Sequence, residues 1–272
     1  MALYRYFRPD PAVETLRVCE LVVVPPKYLD DPFEGSPVIK CADPAGYTEQ
    51  RLLDITKSPE WFEEHRADFP GLTFEQFQNG IKAHSKELMQ KLVASVPDVD
   101  QHFQSRVPDI ISEKFGVICF TSSDVNPTMW ARYASHGGAV IGFDERHQLF
   151  SGRSFFKVEY TDTPYTFDAS SPHTWNDVEM ILKRKGLAWA DQCESRLVVG
   201  LEVVQNRNTS QGPRYLLPIG SELITSVTLG LRLGPTVERE IVHLLKHPKF
   251  KHVECYKVVK NIEASILERR KF

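Results

Sequence analysis

Five consecutive residues, Gln192-Cys193-Glu194-Ser195-Arg196, carry the densest chemistry in the chain. Side chains alternate along a strand with period two. Gln192, Glu194 and Arg196 are therefore expected on one face, lining one pocket. A carboxylate fixed beside a reacting centre stabilises positive charge that develops there. Arg196 can hold Glu194 ionised, or it can grip a phosphate with two parallel hydrogen bonds. The same five residues can also form a solvated strand face with a surface ion pair. Beyond Arg196 the run Leu197, Val198, Val199 is apolar on both faces, so the polar face stops where burial begins. That pattern suits the edge of a cleft.

Ser122 and Ser123 close the strand-like run Gly116 to Thr121, just before a helix. Helix N-termini favour anions through free N–H groups and the macrodipole, so a phosphate or carboxamide can dock there. Serines in such a turn also serve simply to cap and bend the backbone. The helix carries Trp130 and Tyr133, large aromatics that fit either the core or a ligand platform. His136 follows, either as a contact to the helix's negative end or as a donor in the pocket. Asp30, Asp31 and Glu34 bring three carboxylates into one loop. Such a loop can bind a metal ion. The favoured reading is structural, with the acids pinning the turn around Pro32 while Phe33 plugs the core. His243 and His247, one helical turn apart, read as charges that complement a helix end rather than as metal ligands.

These groups need a frame. Leu3 to Phe7 and Val18 to Val24 read as strands, the second ended by Pro25-Pro26. From Tyr47 to about Phe115 apolar residues recur at helical spacing, as at Phe74, Phe77 and Ile81, then Leu88, Leu92 and Val93. Thr73 and Gln76 match a capping box, and Pro97 and Pro108 are expected to break the later helices. Asn126 suits an N-cap, Pro127 the first helical position, and Gly137-Gly138 the point where the helix stops. Further strands are expected at Ala139 to Phe143, Phe155 to Tyr160, Leu216 to Pro218 and Ile224 to Leu231, with another beginning at about Cys193. Trp175 to Lys185 and Thr236 to His247 read as helices, and Val253 to Val259 and Ile262 to Leu267 as closing strands. Short strands around a few helices, without regular βαβ alternation, indicate an α+β fold. The expected organisation is one domain over 1–272, with a helical insertion at about 47–115.

The chain has 272 residues, with Lys+Arg 33 against Asp+Glu 36, a net charge of −3. That balance excludes a protein dominated by the phosphate backbone of nucleic acid. A hydrophobic fraction of 42% and spread aromatics exclude disorder over most of the length. Cys19, Cys41, Cys119, Cys193 and Cys255 are odd in number and show no C-x-x-C spacing. A disulfide framework and a cysteine-built zinc site are therefore not expected, and free thiols fit a reducing compartment. The N-terminus lacks a signal-peptide core, and the apolar runs are too short to span a bilayer. The expectation is a cytoplasmic protein with no membrane partner. No nucleotide P-loop, dinucleotide G-x-G-x-x-G, zincin H-E-x-x-H or G-x-S-x-G elbow is present.

Four motifs occur in order: Y-R-Y (Tyr4 to Tyr6), D-D-P-F-E (Asp30 to Glu34), C-F-T-S-S then M-W-A-R-Y-A-S-H-G-G (Cys119 to Gly138), and W-A-D-Q-C-E-S-R (Trp189 to Arg196). The ordered set resembles a bacterial and phage domain family of unassigned function. That family has asparagine where Asp30 stands and glutamate where Gln192 stands. More distantly the motifs resemble the ADP-ribosyltransferase fold, whose core is a split sheet of short mixed and antiparallel strands. The resemblance implies NAD as substrate. It places Arg5, flanked by Tyr4 and Tyr6, on the phosphates, and Thr121, Ser122 and Ser123 around the nicotinamide. It makes Gln192-Cys193-Glu194 the catalytic strand. Cleaving NAD between ribose and nicotinamide builds positive charge on the ribose carbon, which Glu194 would stabilise while Gln192 orients the nucleophile. Trp130, Tyr133, His136 and Arg196 complete the implied NAD site. ADP-ribose would pass to water or to a macromolecular acceptor, protein or nucleic acid, as in a toxin or phage-defence effector. On this reading Glu194→Gln stops nicotinamide release and leaves the fold intact. Two alternatives stand beside it. One is a metal-dependent hydrolase or nuclease using Asp31, Glu34, Asp144 and Glu194 as oxygen ligands. The other is a non-catalytic module that senses a nucleotide or binds a protein.

Overall fold

A computed structural model describes residues 2–95, 99–171, 174–209 and 212–272. In chain order the first elements are β1 (Ala2–Phe7), α1 (Pro9–Val18), β2 (Glu20–Val23), β3 (Val38–Lys40), α2 (Pro44–Lys57), α3 (Pro59–Glu64), α4 (Phe74–Ser95) and α5 (Val99–Lys114). Next come β4 (Phe115–Thr121), α6 (Pro127–Ala134), β5 (Ala139–Asp144), β6 (Phe155–Lys157), β7 (Glu159–Tyr160), β8 (Thr166–Asp168), α7 (Trp175–Lys183) and β9 (Arg184–Lys185). The chain closes with β10 (Glu194–Gly200), β11 (Gln205–Thr209), β12 (Gly212–Pro218), β13 (Ile224–Leu229), α8 (Pro235–Leu245), β14 (Glu254–Asn261) and β15 (Ile266–Lys271). The fold is α+β, with strands gathered in mixed sheets.

The chain divides into two compact units. The first comprises Met1–Gly35, Ile111–Thr163 and Leu182–Phe272. Its main sheet has the order β15-β14-β13-β5-β1-β4-β10-β6. Alternation along the strands sorts two faces. Leu3, Phe7, Phe120, Ile141 and Leu197 point to one, where Leu16 of α1 and Ile241 of α8 cover them. Tyr6 and Val140 point to the other, where Trp130 and Ala134 of α6 pack. At the middle of the sheet β1 and β4 share one register pair, Tyr4↔Thr121. Farther along β4, Val117 pairs instead with Val24, just past β2. The sheet opens between those two points.

The second unit comprises Ser36–Ile110 and Pro164–Ile181. The helical stretch expected at about 47–115 falls largely here, and it is joined by β8, which pairs in parallel with β3. Phe62 and Phe77 are buried at its centre, with ring centroids 5.2 Å apart. Thr73 and Gln76 make the reciprocal capping box: the Gln76 amide N–H donates to Thr73 Oγ1 (3.2 Å), and the Thr73 N–H donates to Gln76 Oε1 (2.9 Å).

Three local expectations are corrected. Val18 belongs to α1, not to a strand, and β2 starts at Glu20. The helix α1 buries Ala12, Val13 and Leu16 along one stripe, and Cys19 ends it in a left-handed conformation (φ 54°). Pro108 does not break its helix but sits inside α5, because tertiary packing outweighs one lost backbone bond. Ile262 is 85% exposed in the turn after β14 rather than in a strand. Pro97 lies outside the described residues.

Candidate functional site

The site grows from the point where β1, β4 and β10 meet. Register places Glu194 opposite Thr121, itself opposite Tyr4, and Arg196 opposite Cys119. These side chains share the sheet face that carries α6. Helix α6 begins as expected, with Asn126 Oδ1 accepting from the N–H groups of Thr128 (2.9 Å) and Met129 (3.2 Å). It ends through left-handed Ser135 and His136. A Cβ at Gly138 would stand 1.8 Å from the Phe7 carbonyl oxygen, so only glycine lets β5 start against β1 there.

Gln192 is not on the strand. It ends a 3-10 turn over Leu187–Gln192, and Cys193, left-handed at φ 46°, separates it from β10. Period-two alternation therefore does not link Gln192 to Glu194; the tight turn brings them to the same place instead. The Tyr160 hydroxyl accepts from the Glu194 N–H (2.7 Å) and pins the start of β10.

The polar face of β10 is buried rather than solvated. Arg196 is fully buried, and Glu194 and Glu34 are each 5% exposed. Arg196 Nε donates to Glu194 Oε1 (2.6 Å), Nη1 to the Leu182 carbonyl (2.7 Å) and Nη2 to Glu34 Oε1 (2.7 Å). Lys185 Nζ reaches Glu34 Oε1 (2.6 Å), Glu194 Oε2 (2.9 Å) and Gln192 Oε1 (2.9 Å). Two carboxylates and two cations thus cancel, and Lys185 Nζ and every nitrogen of the Arg196 guanidinium donate a hydrogen bond, which is what buried charges require. Burial alone would raise the Glu194 pKa, but Arg196 and Lys185 outweigh it and hold the carboxyl at about 2. For Lys185, likewise, the two glutamates override burial and push its pKa up. Burial and the neighbouring Glu194 push the Cys119 thiol far up, so it stays protonated.

Beside this cluster lies a cavity of about 250 Å³. Glu194, Gln192 and Lys185 form one wall, and Tyr4, Arg5 and Tyr6 of β1 another. Cys119 and Thr121 of β4 and Met129 and Tyr133 of α6 also line it. Tyr28, Leu29, Asp30 and Glu34 contribute from the loop after β2. Glu194 is buried while Tyr28 is 67% exposed and Asp30 is exposed, so the carboxylate lies deep and the loop forms the rim. Gln192 Nε2 donates to the Tyr133 hydroxyl (3.1 Å). Burial, then the adjacent Asp30 carboxylate, raises the Tyr133 pKa to about 12. Arg5 Nη1 donates to the Val22 carbonyl (3.2 Å), and Arg5 has no carboxylate partner among the described residues. Burial lowers its pKa.

Of the residues singled out in the sequence, the cavity brings together Tyr4, Arg5, Tyr6, Thr121, Tyr133, Gln192 and Glu194, with Asp30 and Glu34 of the acidic loop. It does not include Ser122, Ser123, Trp130, His136 or Arg196. Ser122 is exposed, and Ser123 Oγ accepts from the Val125 N–H (3.3 Å), as a turn serine does. Trp130 is core: fully buried, it donates from Nε1 to the Asp124 carbonyl (2.8 Å) and meets Tyr6 edge-on at 5.3 Å. His136 Nδ1 is buried with no hydrogen-bond partner in the described structure. Arg196 stands behind Glu194 and holds it. Phe33 is corrected outright: it is 81% exposed and does not plug the core. Asp31 does pin the turn, its Oδ1 accepting from the Phe33 N–H (3.0 Å). Lys185 and the cavity role of Asp30 were not legible in the sequence. Nothing marks Lys185 in the sequence, and Asp30 stands out there only as one of three acids in a loop.

The four carboxylates of the metal alternative are not gathered. Asp144 pairs with its neighbour Arg146 (2.9 Å), Asp31 caps the turn, and Glu34 and Glu194 are filled by Lys185 and Arg196. Among the described residues no group of three His, Cys, Asp or Glu is placed to hold a metal ion. No described helix is long and apolar enough to cross a membrane. Comparison with protein-family models, with curated proteins and with solved structures finds no match to this chain.

Proposed function

We propose that the cavity takes the nicotinamide–ribose end of NAD and that the protein transfers ADP-ribose to a macromolecular acceptor or to water. The observation that carries this reading is the shared wall: Arg5, Gln192 and Glu194, from distant parts of the sequence, line one hollow. Its volume of about 250 Å³ suits one heterocycle and its sugar, the rest of the dinucleotide lying outside. Tyr4, Tyr6 and Tyr133 offer aromatic surface for the ring. Arg5, which has no carboxylate partner among the described residues and whose guanidinium lies between the Val22 carbonyl and the Phe7 ring, would supply the positive charge for phosphate. Glu194, kept ionised, offers negative charge beside the ribose. Transfer to a protein or nucleic acid would fit a toxin or phage-defence effector.

One observation favours a second reading, a nucleotide-sensing module without turnover. Both oxygens of Glu194 are taken by Arg196 and Lys185, so its charge is already balanced. The two readings separate in one experiment on the wild-type protein. NAD binding is titrated by calorimetry, and free nicotinamide is measured by chromatography with and without cell extract. Binding with nicotinamide release supports the transferase; binding without release supports the module; absence of binding removes both. Glu194→Gln is a poorer probe than the sequence suggests, because it leaves two buried cations to share Glu34 alone and costs about 3–5 kcal/mol of stability. Arg5→Ala is cleaner, and it should weaken NAD binding without unfolding the protein.

A further inference from the structure

We propose that Asp30 is the proton acceptor of this cavity, its carboxylate taking the proton of the hydroxyl or water that attacks the ribose carbon of NAD. This rests on the transferase reading above and supplies the base that reading lacks. Gln192 has no basic atom, and its amide is fixed at both ends by Lys185 and Tyr133. Glu194 and Glu34 are each engaged by both Lys185 and Arg196. Of the three carboxylates on the cavity wall, only Asp30 makes no ion pair among the described residues. It is also the exposed one, so an acceptor arriving from solvent meets it first.

The loop that carries Asp30 is held on both sides, as a positioned base requires. Before it, the Leu29 N–H donates to the Pro26 carbonyl (3.0 Å). After it, the Glu34 N–H donates to the Asp31 carbonyl (3.1 Å), and the Glu34 side chain is anchored by Lys185 and Arg196. Gly35 turns the chain at φ 69°, where a Cβ would stand 2.9 Å from Pro26 Cβ. Glu34 is thus a positioning residue: it fixes the rim loop to the same two cations that fix Glu194. Tyr133, held by Gln192, stands beside Asp30 on the rim.

In the step itself, the acceptor oxygen bonds to the ribose carbon as the carbon–nitrogen bond to nicotinamide breaks. The bonding pair leaves on the nicotinamide nitrogen, which becomes neutral. The acceptor's proton passes to Asp30 and then to solvent.

The test compares wild type, Asp30→Asn and Asp30→Glu in NAD affinity, nicotinamide release and urea unfolding. Asp30→Asn is expected to bind NAD within about twofold of wild type and to unfold at the same urea concentration, while nicotinamide release falls about 10²–10⁴-fold. Asp30→Glu should restore part of the rate. Release by Asp30→Asn at the wild-type rate overturns the assignment and leaves the transferase reading standing. A wild-type protein that does not bind NAD, or binds it without release, overturns the transferase reading and this assignment together.

Discussion

Two charged clusters flank Tyr4 on one face of the sheet, and they are built to different rules. On the β4–β10 side, Glu34, Lys185, Glu194 and Arg196 have side chains between 0% and 5% exposed. On the β13–β15 side, Asp124 accepts from Arg269 Nη1 (2.8 Å) and from Thr228 Oγ1 (3.1 Å). Arg269 there keeps 34% of its side chain exposed and lies over the Tyr256 ring at 4.4 Å. The first cluster is closed and self-neutralising. The second is open to water on its cationic side. Equal pairs of charge therefore differ in what their loss would cost, because only the closed cluster would leave a bare charge without solvent. The closed cluster is also the one that forms a cavity wall.

The sharpest way to break that contrast is Arg196→Met. It should lose about 3–5 kcal/mol, read as a lower midpoint in urea, since Glu194 and Glu34 would share one remaining cation. A loss no greater than that of the open cluster would show that the closed one is not special.

Acid comes next. The folded pKa of Glu194, about 2, lies below its unfolded value of about 4.3. Its stabilising contribution is full above the unfolded value and is lost as pH falls through that value toward about 2, a change on the order of 3 kcal/mol. Urea midpoints measured from pH 7 down to 2 should show this decline in wild type and little of it in Arg196→Met.

Arg269→Met should cost less, about 1.5–3 kcal/mol, the usual range for hydrogen bonds to a charged group. It should also leave NAD affinity closer to wild type than changes at Arg5 do, because Arg269 does not line the cavity and meets it through Tyr4, whose hydroxyl it bonds at 3.3 Å. The smallest effect is expected at Arg146→Ala. Its pair with Asp144 is solvent-exposed, and the urea midpoint should not move.

Local signals suffice where the structure they specify is itself local. The Asn126 cap and the Thr73–Gln76 box are written within four residues and form as expected. Most strands follow their β-branched and aromatic runs. Other local signals competed. Around α1, Pro9 and Pro11 hid a helix whose apolar stripe, Ala12, Val13 and Leu16, is plain once the prolines are assigned to its first turn. Phe33 misled for a different reason. An aromatic residue between acids suggests a plug, but its direction is set by the turn that Asp31 caps and Glu34 anchors.

By itself, then, the sequence determined the α+β class, the caps, most of the strands and the group of residues worth watching around Glu194. Only the tertiary structure decided that Glu194 is buried with two cations, that Arg196 stands behind the cavity rather than in it, and that Asp30 is the cavity carboxylate with no ion pair among the described residues. The reason is distance along the chain. A cap or an alternating strand is fixed by neighbours a few residues away, whereas Arg196 meets Glu34 across 162 positions. Which charge is buried, and which is answered, depends on that meeting.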